Sequence, residues 1–341
     1  MRVGELEPGP RDSIADAGVR VGHTTLIEGD DVRTGVTVVV PPALPVFAGA
    51  HRLNGNGELT GLEWIRESGL LTTPIGLTNT HSVGVVRDAI VAAMTGQADW
   101  SLPVVGETWD GVLNDIDGFH VRPEHVHDAL AAAAEDFAQG NVGSGTGMIC
   151  HGFKGGIGSA SRRAGEHLVG VLVQANHGRR ARLRVDGAPV GRELGLDRIP
   201  GPTPSRRLDG GEQRAEAPAS PAPEQETPGG SIIVLVATDA PLLPHQCERV
   251  AQRAALGIAR TGGAGENSSG DLLLCFSMQT VAETVRMTPN ESIDALFYAA
   301  IEATEAAIVN ALLAAETMTG RGTTVHAIDP HALDEILARY G

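Results

Sequence analysis

Lysine is almost missing from this chain. Of 26 basic residues, only Lys154 is not an arginine. Either arginine-rich coding left one accidental survivor, or a compact ammonium is needed where a guanidinium would not fit. Aromatic residues are scarce as well, at 3%, so Ala, Val, Leu and Ile must fill the core. Cysteine is limited to Cys150, Cys247 and Cys275. An odd number without metal-like spacing makes neither a disulfide framework nor a zinc site, and predicts buried thiols in a cytoplasmic protein. Positive charge is short, with a net charge of −16 and a pI of about 5.1. Such a surface repels phosphate backbones, which excludes nucleic acid as a partner. No run reads as long and apolar enough to cross a bilayer, so no membrane partner is expected. The polar start Met1–Gly18, with Glu5, Glu7, Asp12 and Asp16, lacks the apolar stretch of a secretory signal.

Cofactor and metal signatures are also missing. The 12 histidines are scattered. His120, His125 and His127 come close in sequence, but His125 and His127 point to different faces of a predicted helix. The glycine-rich run around Lys154 lacks the GxxxxGK[ST] order of a phosphate loop, and NGNGELTG (Asn54–Gly61) carries only part of a dinucleotide pattern. No cofactor and no metal are expected.

What is present is a globular composition of 341 residues, 42% of them apolar, with 44 glycines in tight clusters. Val19–His23, Val36–Val40 and Leu168–Gln174 read as strands, with Arg180–Val185 as a partner strand. Leu62–Glu67, Ser82–Met94 and His125–Gln139 read as helices. Residues 199–230 are rich in Pro, Ala, Glu, Ser and Gly, and predict a flexible linker. Immediately after it, SIIVLVATDAPL opens with five large apolar residues, the pattern of a strand buried on both faces. His245–Ala259 then reads as a helix, Asp271–Ser277 as a second buried strand, Glu291–Thr317 as a long helix and Pro330–Tyr340 as a short one. The order suggests α/β layers, sheets flanked by helices.

The junction carries the chemistry. A linker ending in Gly229–Gly230 delivers Ser231 at the start of a buried strand. Cleavage there gives Ser231 a free α-amine, with a pKa near ~8, that can activate its own hydroxyl. The bland alternative is a loop entering a strand. Six further motifs follow in order: Asn54–Gly61, LTNTHSVGVV (Leu77–Val86), VVGETWDGVLNDIDG (Val104–Gly118), GSGTGMICHGFKGGIGSASR (Gly143–Arg162), VQANHGRR (Val173–Arg180) and TGGAGENSSGDLLLCFS (Thr261–Ser277). Together they resemble the P1 family of peptidases, the D-stereospecific aminopeptidase and the β-peptidyl aminopeptidases, from about Asp16 to Thr317.

The resemblance implies a four-layer α/β/β/α sandwich. It is a single domain cleaved into an α chain, 1–230, and a β chain, 231–341, assembling as a homo-oligomer, a tetramer of αβ units. It implies Gly230–Ser231 as the cleavage site and Ser231 as the nucleophile. Ser269 and Asp271 map onto the supporting serine and carboxylate, with Ser268 as an adjacent rival. Asp replaces the Glu known at that carboxylate. Asn176 maps onto the oxyanion amide. Glu107 maps onto the acid that receives the substrate's amine, and Trp109 stands where a relative has Tyr. Read from the residues alone, Glu107 and Asp110 supply anionic groups for a cationic amine, whereas Asn176 could be an ordinary turn residue. The function expected is hydrolysis of N-terminal residues from short peptides, amides or esters through an acyl-enzyme. The alternatives are an amidohydrolase of non-peptide oligoamides and an acyltransferase of the ornithine acetyltransferase type, whose new N-terminus is Thr.

Overall fold

A computed structural model describes residues 3–97, 99–204 and 230–341. Its strands are β1 (Arg20–Glu28), β2 (Val32–Val40), β3 (Val46–Gly55), β4 (Leu70–Leu71), β5 (Ile75–Asn79), β6 (Val104–Thr108), β7 (Ile149–Cys150), β8 (Phe153–Lys154), β9 (Gly156–Ala164), β10 (His167–Asn176), β11 (Thr203–Pro204), β12 (Ser231–Thr238), β13 (Gly270–Thr280), β14 (Met318–Gly320) and β15 (Thr323–Val325). The helices are α1 (Leu62–Ser68), α2 (Val83–Ala93), α3 (Pro123–Ala131), α4 (Val190–Glu193), α5 (Pro244–Arg260), α6 (Asp294–Leu313) and α7 (Pro330–Tyr340).

Two sheets form the frame, one ordered β1-β2-β5-β6 and the other β4-β3-β13-β12-β10-β9. All eight residues of β12 are buried. Its side chains alternate between two environments, as a strand's must. Ile232, Val234 and Val236 pack with α5 and α6, in one core with Val250, Ala254 and Ala303. Ile233, Leu235 and Ala237 face the other sheet, in a second core with Ile75, Leu77 and Val104. On the outer side of the smaller sheet, Val36, Val38 and Val105 pack with Val86 and Ile90 of α2 and Val126 of α3. The layers are therefore helix, sheet, sheet, helix.

Each sheet contains one parallel pair joined by a helix: β5–α2–β6 and β12–α5–β13. A crossover helix returns the chain so that both strands of the pair start at the same end. Antiparallel β10 ends where β12 begins, with Asn176 opposite Ser231. The C-terminus of β10 and the N-termini of β12 and β13 thus meet at one edge of the sandwich.

Several elements differ from their sequence reading. The helix expected over His125–Gln139 stops at Ala131. Beyond it, Ala134 exchanges backbone hydrogen bonds with Val21, a pairing that overrides the helix propensity of an alanine run. Arg180–Arg182 is a 3-10 turn, not a strand. The partners of β10 are β12 and β9. The long helix is shorter than Glu291–Thr317, covering Asp294–Leu313. By length and composition alone α6 could cross a membrane, contrary to the sequence reading, but 83% of its apolar stretch is buried in the fold. Most of the expected linker lies outside the described residues, and Thr203–Pro204 within it pair with β15.

Glycine lets α6 approach the sheet. A Cβ on Gly158 would lie 2.0 Å from the Ala307 carbonyl oxygen, whereas one on Gly84, in α2, would meet nothing within 4 Å. Gly158→Ala should therefore destabilise the protein by about 1–3 kcal/mol. Gly84→Ala should stabilise it by about 0.5–1 kcal/mol, because alanine loses less chain entropy in a helix. Urea unfolding midpoints of the two variants check this, and shifts of the same sign would contradict it.

Candidate active site

Strand alternation decides which side chains reach the edge where β10, β12 and β13 meet. Ser231 lies on the same face of β12 as Ile233 and Leu235, toward the facing sheet. Its Oγ accepts a hydrogen bond from Gly270 N at 3.0 Å. In β10, Leu172, Gln174 and Asn176 share the equivalent face. The Gln174 amide donates to Thr108 Oγ1 at 2.7 Å, and Asn176 Nδ2 donates to the Trp109 carbonyl at 2.9 Å. Asn176 Oδ1 accepts from Ile149 N at 2.7 Å. The amide plane is thus held from both sides, leaving the second Nδ2 hydrogen available.

Gly230 packs against this amide. A Cβ there would fall 1.6 Å from the Asn176 carbonyl oxygen and 3.0 Å from Nδ2. Glycine at this position is a steric requirement, whatever conformational freedom it also brings. Gly230 and Asn176 line one small cavity with Trp109, Val112 and Ile149, and Ser231 pairs opposite Asn176 in the ladder.

Ser269 Oγ donates to Asp271 Oδ1 at 2.5 Å, and both residues are buried. Ser268 is exposed, and its carbonyl accepts from Asn56. Asp271 sits beside Ile232 in the parallel register. Burial pushes its carboxyl up to about 6; the hydrogen bonds from Ser269 and Ile232 work against that shift, and nearby Glu266 adds to it. Gly270, between them, has Asn56 O only 2.5 Å from its Cβ position. The turn after β3 thus lies directly over the start of β13.

The same turn carries the link to Glu107. A Cβ on Gly57 would lie 3.1 Å from both Glu107 Oε1 and Gly270 Cα. Glu107, in β6, is 3% exposed. Its Oε1 accepts from Glu58 N at 2.9 Å, and its Oε2 accepts from the Thr80 hydroxyl. Burial raises its carboxyl above the ordinary value, partly offset by those two donors. No arginine or lysine pairs with Glu107 among the described residues. Asp110 is buried as well, and its Oδ1 accepts from Asn114 at 3.0 Å. Trp109 is 44% exposed and offers its carbonyl to Asn176.

Sequence reasoning missed the backbone donors of Gly270 and Ile149, the Thr80 and Glu58 contacts, and one further cluster. Cys150, His151 and His177 bring potential ligand atoms within 4.8 Å of one another. Both histidines have a buried Nε2 without a partner. Burial holds all three neutral, pushing Cys150 up to about 12, His151 down to about 4 and His177 well down. The fields of Lys154 and Arg180 reach the cluster and oppose a metal cation there. No motif spacing pointed to this trio, because the turn after β7 and the end of β10 meet only in the fold.

Asp271 also dictates a pH dependence. Its folded pKa lies above the ordinary carboxylate value, so the native state holds the proton more tightly than the unfolded chain. The stability due to that proton is complete in acid and is lost as pH rises through about 6. Melting temperatures measured from pH 4 to 8 should therefore decline more steeply for the wild type than for Asp271→Asn. Parallel curves would show that Asp271 does not titrate in this range.

Comparison with known proteins gives a consistent picture. The profile of peptidase family S58 matches residues 12–325. The chain is 47% identical over 366 aligned residues to β-peptidyl aminopeptidase BapA of Sphingosinicella microcystinivorans, covering 98% of this chain and 89% of that one. Among solved structures, a β-aminopeptidase of Burkholderia sp. superposes with a TM-score of 0.86 at 49% identity, covering 100% of this chain and 97% of the other. The L-aminopeptidase D-Ala-esterase/amidase of Ochrobactrum anthropi, a serine aminopeptidase with a variant of the Ntn hydrolase fold, superposes with a TM-score of 0.85 at 39% identity, covering 99% and 96%.

Proposed function

Since the chain belongs to peptidase family S58, we propose that it is a self-processing serine aminopeptidase in which Ser231 is both the cleavage site and the nucleophile. The observation that carries this reading is the fit of Gly230 against Asn176, the residue that pairs opposite Ser231. In processing, Ser231 Oγ attacks the Gly230 carbonyl carbon and the peptide C–N bond breaks. The nitrogen takes up a proton and becomes the α-amine of Ser231, and water hydrolyses the resulting ester. The products are chains 1–230 and 231–341.

The mature site repeats this chemistry on a substrate. The α-amine accepts the Oγ proton as Oγ attacks the substrate carbonyl. The free Nδ2 hydrogen of Asn176 donates to the developing oxyanion, a contribution of about 3 kcal/mol. The leaving amine takes the proton, and water then releases the acyl group. Ser269, held by Asp271, supports the nucleophile region, and Glu107 binds the substrate ammonium. A buried carboxylate without a cationic partner gains a charge-assisted hydrogen bond from that ammonium. Trp109 borders the acyl group. The relatives named for β-peptides support N-terminal β-amino residues as the preferred acyl groups. The Ser at position 231 disfavours the acyltransferase reading, which goes with Thr. The family resemblance supports a homo-oligomer of αβ units, and three free, buried thiols suit a reducing cytoplasm.

The purified protein should run as two fragments on a denaturing gel, the smaller beginning Ser-Ile-Ile-Val. Ser231→Ala should stay as one inactive chain, and an active uncut chain would defeat the mechanism. β-Alanyl p-nitroanilide should be hydrolysed faster than the L- and D-alanyl compounds.

Glu107→Gln should lower kcat/KM for these anilides by at least about tenfold, roughly 1.4 kcal/mol. N-acetylated analogues should be poor substrates for both enzymes. Equal turnover of acetylated and free substrates by the wild type would exclude the aminopeptidase reading.

A further inference from the structure

Lys154 has no part in the chemistry above, yet it is one of the largest fully buried side chains in the protein. We propose that Lys154 is a positioning residue for Asn176, clamping the turn that orients the amide at Ser231. The proposal rests on the reading of Asn176 as the oxyanion donor.

The ammonium has three N–H groups, and each finds a carbonyl: Met148 O at 2.7 Å, Gly155 O at 2.8 Å and Gly145 O at 3.2 Å. No carboxylate pairs with it among the described residues. A buried cation without a counter-ion is costly unless its hydrogens are all accepted; here they are, though burial still pushes the Lys154 pKa down to about 7, against the raising fields of Cys150 and Asp110. The backbone of Lys154 is itself anchored, its N–H donating to His326 O at 2.7 Å. A fixed strand thus gathers three carbonyls from both sides of one tight turn. Met148 O also accepts from Gly155 N at 2.9 Å, closing the β7–β8 hairpin. The next N–H along the chain, that of Ile149, donates to Asn176 Oδ1 at 2.7 Å.

The path from Lys154 to the reacting atoms is therefore Nζ to Met148 O, across that same peptide group to Ile149 N, and then the amide plane of Asn176. Its other restraint, Nδ2 to the Trp109 carbonyl, comes from the opposite sheet. With the hairpin loosened, the amide is held on one side only and can rotate away from the oxyanion position. Lysine is specified because three converging carbonyls suit a compact tetrahedral head. A planar guanidinium is longer and aims its donors in a fork. This explains how the one lysine persists among 25 arginines, the remainder of 26 basic residues once Lys154 is set aside.

The test is a double-mutant cycle on kcat, using protein already cleaved at Ser231. Lys154→Met keeps the length and removes the donors. It should lower kcat by roughly 10–100-fold, within the range seen when a catalytic donor is lost or misplaced, with KM changed less than about twofold. In an Asn176→Ala background, the same substitution should change kcat by less than about twofold, because the group it positions is gone. A full additive loss in that background would overturn the clamp, as would wild-type kcat in folded Lys154→Met. Should Lys154→Met not fold, Lys154→Arg keeps the charge but not the geometry, and wild-type kcat in that variant would overturn the proposal equally. Near wild-type kcat in Asn176→Ala alone would instead sink the reading of the amide, a result distinct from failure of the clamp.

Discussion

Burial of β12 on both faces is the constraint from which the rest of the structure follows. Eight successive side chains leave the strand alternately toward the helices and toward the facing sheet. That alternation permits no slip, since a shift of one residue would exchange the two faces. Ser231 is the first residue of the run, so its hydroxyl direction is set by the packing of Ile233, Leu235 and Ala237 behind it. The neighbouring strands are tied to the same register, which places Asn176 opposite Ser231 and Asp271 beside Ile232. The site inherits its precision from a core that has no freedom to rearrange.

The electrostatics of the edge complement that rigidity. Glu107, Asp110 and Asp271 are all buried, and burial raises the pKa of each. Hydroxyl, amide and backbone donors surround them, and no salt bridge neutralises them among the described residues. Such groups hold their geometry while retaining a demand for positive charge.

The glycine clusters have a matching explanation at this edge. Gly57, Gly230 and Gly270 are places where one backbone lies against another, with Cβ positions 1.6–3.1 Å from the neighbouring atoms. Three chain segments thereby converge at one edge of the sandwich. The same closeness allows one buried ammonium, that of Lys154, to hold several carbonyls at once.

The amino-acid sequence by itself determined the most apolar strands and the chemical types. The apolar run after Ser231 and the run Asp271–Ser277 are legible because two-faced burial requires unbroken hydrophobicity. The Gly-Gly-Ser junction and the two-residue spacing of Ser269 and Asp271 are visible locally, but their roles came from the family resemblance. Local pattern fails where long-range pairing competes with it. The alanines after Ala131 leave the helix because Val21 pairs with Ala134, and the glycine-rich stretch Gly156–Ala164 becomes a strand because β10 lies beside it. Only the tertiary structure decided that Ser269, rather than Ser268, is the buried partner of Asp271, and that Gly230 is a steric necessity. It likewise decided that Lys154 is linked to the Asn176 amide by two hydrogen bonds across the Met148–Ile149 peptide. These are distances between segments far apart in the chain, set by how two sheets stack, and no spacing within a single segment encodes them.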